Sequence, residues 1–217
     1  GELGATDSVQ ITVQPAVAAT VERRVAAGSD DAEESATGSV SVTGSDLELV
    51  YDKNLQKVGL RFTNLAIPRG ATITRAYLQF EADEKQSEVT NLLIQGQAAD
   101  NPATFTSLAG SVSARPRTAT AVSWSPPAWT LVSEAGAGQR TPDLSAVIQE
   151  VVNRPGWASG NAVVIIVTGT GHRTAESFEG KAAGAALLHV EMGSGGPPAD
   201  NVAPTVDAGP AQTVALP

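Results

Sequence analysis

The chain has 217 residues, 41% of them hydrophobic, which is enough for one sizeable core and excludes a disulfide-stapled mini-protein. It contains no Cys and only two His, His172 and His189, so thiol nucleophiles, Fe–S clusters, Cys-ligated zinc and multi-His metal centres are ruled out. A net charge of −9 opposes sequence-independent binding to nucleic acid or anionic lipid and favours a cation or a neutral ligand.

No apolar run approaches the roughly 18 residues of a membrane span, so membrane insertion is not expected. The opening GELGATDS has neither the basic start nor the apolar run of a signal peptide, and the chain reads as a soluble piece of a longer polypeptide.

Taken in chain order, alternation of two dominates the first two thirds. Val9 to Val13, Val21 to Ala26, Val40-Val42, Leu47-Leu49-Tyr51, Val58-Leu60-Phe62, Ile73 to Phe80 and Leu92-Ile94 place apolar groups at every second residue, the pattern of half-buried antiparallel strands. Pro68 and Gly70 favour a turn or a sheet crossover between Phe62 and Ile73. In TPDLSAVIQEVVNRPGW, Thr141 is a helix cap, Pro142 the first helical residue, and Leu144, Val147, Ile148 and Val151 one apolar stripe that Pro155 stops. Ala162 to Thr168 is a β-branched run too short for a stand-alone helix and reads as a buried strand; Leu187 to Met192 closes the domain. Many short strands and one short helix predict an all-β antiparallel sandwich.

The ends differ from this middle. Residues 194–203 have the Gly/Pro composition of a linker, and NVAPTVDAGPAQTVALP after it resembles the opening strands of a polycystic-kidney-disease (PKD) type immunoglobulin-like module. GELGATDSVQITVQP, within residues 1–16, resembles the closing strand of such a module. The expected organisation is a PKD-like strand at 1–16, a sandwich domain at 17–193, a linker at 194–203 and PKD-like strands at 204–217.

Between Thr20 and Met192 the order of elements resembles the DNRLRE-type domain family. The residues that carry it are SDDAEE (Ser29 to Glu34), VGLRFTNLAIPRGATITRAYLQFEAD (Val58 to Asp83), SWSPPAWT (Ser123 to Thr130) and Thr141 to Gly171 with a closing strand. The family's eponymous motif is not visible as such, and the loop Asp83 to Glu88 looks peculiar to this chain. The resemblance implies a jelly-roll type β-sandwich and a noncatalytic module of a secreted or cell-surface bacterial protein. A structural or adhesion role in a stalk or fibre is the first expectation, and polysaccharide binding beside a secreted enzyme is the alternative. The partners expected are neighbouring modules of the same polypeptide or further copies of it, with polysaccharide under the alternative. A copy-to-copy filament would pair the Val9 to Val13 strand with the Thr205 to Val214 region.

Two groups of residues carry candidate chemistry. Asp30, Asp31, Glu33 and Glu34 crowd hard oxygen ligands together, which suits a structural Ca²⁺ site joined by Asp46 or Glu48, or else a solvated strand end; the spacing of an EF-hand is absent. Trp124, Trp129 and Trp157 are the candidate sugar platforms, and packing under the helix is the competing reading. A general base at His172, near Glu176, Ser177 and Glu179, can be sketched, but no GxSxG elbow, HExxH or phosphate loop accompanies it, so no enzyme is expected.

Overall fold

The computed structural model describes residues 19–193, and the PKD-like segments lie outside the described residues. In chain order the strands are β1 (Ala19–Arg24), β2 (Asp31–Ser35), β3 (Val40–Ser41), β4 (Asp46–Glu48), β5 (Tyr51–Asp52), β6 (Asn54–Phe62), β7 (Ile73–Gln79), β8 (Asn91–Gln97) and β9 (Arg117–Trp124). Helix α1 (Ser145–Val152), β10 (Val163–Thr170), β11 (Thr174–Glu176), the short α2 (Phe178–Lys181) and β12 (Leu187–Met192) follow. Every strand pairing is antiparallel. A seven-stranded sheet runs β3-β2-β6-β10-β8-β9 with β5 paired to β6; a three-stranded sheet runs β1-β12-β7; β4 and β11 form a third, two-stranded piece. The chain is the all-β sandwich that the alternation predicts, with two sheets of unequal size.

Period-two patterning decides which side chains meet between the sheets. Val58, Leu60 and Phe62 of β6, Val163, Ile165 and Val167 of β10 and Leu92 and Ile94 of β8 face Leu78 of β7 and Leu188, Val190 and Met192 of β12 in one core. Val164 and Ile166 point the other way and are buried too, because segment 98–116 lays Phe105 and Val112 over the outer face of the large sheet. That second cover is why β10 is apolar at every position from Val163 to Val167 rather than at every second one. Gly59 makes it possible, since a Cβ there would lie 2.5 Å from the Phe105 ring.

Several expectations need correcting. Helix α1 begins at Ser145, not at Pro142. Thr141 does not cap it: its hydroxyl accepts the Leu78 amide at 3.0 Å, while Asp143 accepts both the Ala76 and Ser145 amides. Residues Arg140 to Leu144 therefore seal the edge of β7 before the helix starts. The expected Leu47-Leu49-Tyr51 strand is two short strands, β4 and β5. The acidic run from Asp31 lies within a strand, and β9, β11 and α2 are additional elements.

Two features bear on function. Among the described residues no helix is long and apolar enough to cross a membrane. In addition, Ala19 at the start of β1 is the direct partner of Met192 at the end of β12, so the chain enters and leaves the sandwich side by side.

Candidate functional site

The acidic strand β2 is where sequence and structure both concentrate chemistry. Its register with β6 places Asp31 opposite Leu60 and Glu33 opposite Val58, so these two carboxylates face into the sandwich. Ala32 lies opposite Gly59 and Glu34 opposite Lys57, on the outer face. Asp30, just before the strand, also turns outward, to Arg61 Nη1 at 2.7 Å and the Thr104 hydroxyl at 2.9 Å. The four expected calcium ligands are thus split between two faces by the pleat. They do not converge on one point. Among the described residues, no group of three or more His, Asp or Glu side chains is arranged to hold a metal ion.

The two faces treat charge differently. On the outer face Glu34 is buried, yet its Oε2 accepts the amides of Val112 at 2.8 Å and Ser113 at 2.7 Å. Burial works to raise its pKa, but these donors, with Lys57 nearby, hold it below the ordinary range. On the inner face Asp31 accepts one amide, from Phe178 at 2.8 Å, and Glu33 one, from Glu48 at 2.5 Å. Burial pushes both up to about 7, helped for Asp31 by Glu179 and Asp30 and for Glu33 by Glu48, Asp46 and Asp52.

Like charges extend along β4 and β11. Glu176 lies directly opposite Asp46 in the ladder, an unfavourable cross-strand pair, and Asp83 and Glu84 approach from the loop. Burial first, and then these neighbours, raise Asp46 and Glu176. Glu48 shares this edge as expected, and it is raised by burial despite hydrogen bonds to His172 Nε2 and the Thr174 hydroxyl.

This arrangement also decides the His172 sketch. The carboxylate on His172 is Glu48 rather than Glu176 or Glu179. Ser177 donates to the Gly44 carbonyl at 2.7 Å and accepts the Gly180 amide as the cap of α2, so its bonds go to those backbone groups. The hydroxyl near His172 is that of Thr174, at 3.3 Å, fully buried and donating to Glu48. It is closed to a substrate.

The three Trp are core residues, at 5%, 1% and 3% exposure for Trp124, Trp129 and Trp157. Trp124 stacks on Phe80 with ring centroids 5.8 Å apart. Trp129 Nε1 donates to the Gly138 carbonyl and Trp157 Nε1 to the Ile67 carbonyl. Their faces are packed, and the Trp129 and Trp157 donors are used, which is the packing reading and not the sugar platform. Tyr77, on the outer face of the small sheet, is stacked on His189 at 4.5 Å with the Arg140 guanidinium 4.4 Å from its centroid.

Arg173 escapes the sequence reading. It is 1% exposed, and its guanidinium donates to the carbonyls of Pro126, Pro127 and His172 and to the Thr90 hydroxyl. It fixes the Pro126-Pro127 loop to the start of β11. Nothing in the local sequence marks it, since the loop carbonyls it holds are 46 and 47 residues away.

No family model matches the chain, and no curated protein matches its sequence.

Proposed function

We propose that the chain is a noncatalytic structural or adhesion module of a secreted or cell-surface multidomain protein, linked to neighbouring modules in an extracellular stalk or fibre. One observation carries this reading: the residues best suited to ligand chemistry are spent on the module's own architecture. The three Trp hold the core, Glu34 and Asp30 fasten segment 98–116, and Arg173 ties a loop to a strand. The resemblance to DNRLRE-type modules and the PKD-like flanks give the extracellular, multidomain setting. Its partners are then adjacent modules or further copies of the chain.

The test is a glycan array together with polysaccharide, ester and phosphoester substrate panels, run on the whole 217-residue chain. The expected result is no saturable glycan binding and no turnover above that of His172→Ala. Turnover abolished by that substitution establishes an enzyme instead, and a saturable glycan signal establishes a binding module.

A further inference from the structure

In β1 and β12 the residues Ala19, Thr20, Val21, Glu22, Arg23 and Arg24 lie opposite Met192, Glu191, Val190, His189, Leu188 and Leu187 in turn. The chain continues beyond both ends of this ladder, with residues 1–18 before it and 194–217 after it. Tension carried along the polypeptide therefore pulls Ala19 and Met192 apart across the ladder, at its open end. Load falls on the first pair alone, then on the next, so the hydrogen bonds fail one after another instead of together.

What resists this opening is modest. β1 is the edge of the small sheet, and among the described residues it is hydrogen-bonded into a ladder on one side only. Over its six residues it buries one side chain, Val21, before Val25 anchors the far end. Arg23 and Arg24 hold Asn64 and Ala185 carbonyls at that same far end, where they bear load last.

We infer that the module is a length reserve opened by tension, with β1 and β12 as the latch. This rests on the reading of the chain as a link in a longer, load-bearing polypeptide. Closed, it adds to the span only the separation of two paired strands, about 5 Å. Opened, the roughly 170 residues between the latch ends extend to about 600 Å at 3.3–3.6 Å per residue. Once β1 leaves, Val21 leaves the core it shares with Val190 and Met192, and the core opens with the latch.

The test is single-molecule force spectroscopy on the whole chain held through its two ends. The expected record is a single lengthening of about 600 Å, at a force several-fold below that needed when the same protein is held at its N-terminal end and at a Cys replacing Leu187. That second geometry loads β1 and β12 in shear, with all the bonds sharing the load. A Thr20→Cys, Glu191→Cys pair provides the lock. The two positions are direct partners, which is within disulfide reach, and the chain has no Cys to compete. Oxidised, this variant is expected to lose nearly all of the lengthening; reduced, it regains the parent trace, which shows that it folds. Equal forces in the two pulling geometries, or full lengthening in the oxidised variant, overturns the inference. Neither outcome depends on the glycan and substrate assays, so the two readings fail separately.

Discussion

Four carboxylates within five residues, around one short strand, meet two environments. Asp30 and Glu34 turn outward and are given a guanidinium, a hydroxyl and two loop amides. Asp31 and Glu33 turn inward, receive one amide each, and share their space with Asp46, Glu48 and Glu179. The outer carboxylate Glu34 is held ionised, whereas the inner pair is driven toward the neutral form near pH 7. Burial is common to both faces; the supply of donors against like charges is what separates them.

The largest effect that breaks this comparison is expected from Glu34→Ala. Two loop amides lose their acceptor, and the cover over Val164 and Ile166 loosens with them. Stability measured by urea unfolding at pH 7 is expected to fall by about 2–4 kcal/mol. Glu33→Gln is the matched change on the other face. Its amide oxygen still accepts the Glu48 amide while the charge is removed, so stability at pH 8 is expected to stay within about 1 kcal/mol of the parent, or to rise. Equal losses in the two variants would mean that the faces do not differ.

The pH dependence sharpens the comparison further. Asp31 and Glu33 titrate near their ordinary values, 3.8 and 4.5, when unfolded and near 7 when folded. Well below 3.8 neither state is charged and they cost nothing. As pH rises the unfolded state ionises first, so stability declines through the interval up to about 7 and levels off above it. Glu34, Asp143 and Glu150 act in the opposite sense: their lowered values add stability above the ordinary carboxylate range that disappears as pH falls through it. Thermal unfolding between pH 3 and 9 is therefore expected to show an optimum near pH 5. In Asp31→Asn, Glu33→Gln the decline on the alkaline side should flatten while the acid side stays unchanged.

Alternation makes most of the sandwich legible in the sequence. β6, β7, β8, β10 and β12 follow the strands read from Val58, Ile73, Leu92, Ala162 and Leu187, because each buries one face and the pattern records it. β2 was hidden for a physical reason: DAEES has no apolar alternation, and only the donors brought by segment 98–116 and α2 make burial of its carboxylates tolerable. β9, RTATAVSW, was hidden by small residues. Thr141 reads as a helix cap, yet its hydroxyl accepts a β7 amide, as the Asp143 carboxylate does, across more than 60 residues, a competition that local spacing does not record. The candidate site is legible as a cluster that Asp46 or Glu48 joins; which face each carboxylate takes depends on register with β6 and is not. The Trp positions were visible, but their burial depends on the distant Phe80, Gly138 and Ile67.

Salt gives the smallest effect. Repulsion among Glu33, Asp46, Glu48 and Glu176 is screened where the groups remain partly open to water, whereas protonation removes it at lower pH. Raising NaCl from 50 to 500 mM is expected to increase the melting temperature by a degree or two at pH 8 and by less at pH 5, roughly the shift produced by a few tenths of a kcal/mol. Calcium at matched ionic strength is expected to do no more, since the pleat directs Asp30 and Glu34 away from Asp31 and Glu33. A larger, saturable calcium shift at pH 8 that vanishes in Asp31→Asn, Glu33→Gln and persists in Glu34→Gln would reverse this. Such a result would mean that the inner carboxylates ionise around a bound cation, whose mass-action stabilisation offsets their repulsion. The contrast between the faces would then be one of partner, ion against amide, and no longer one of protonation.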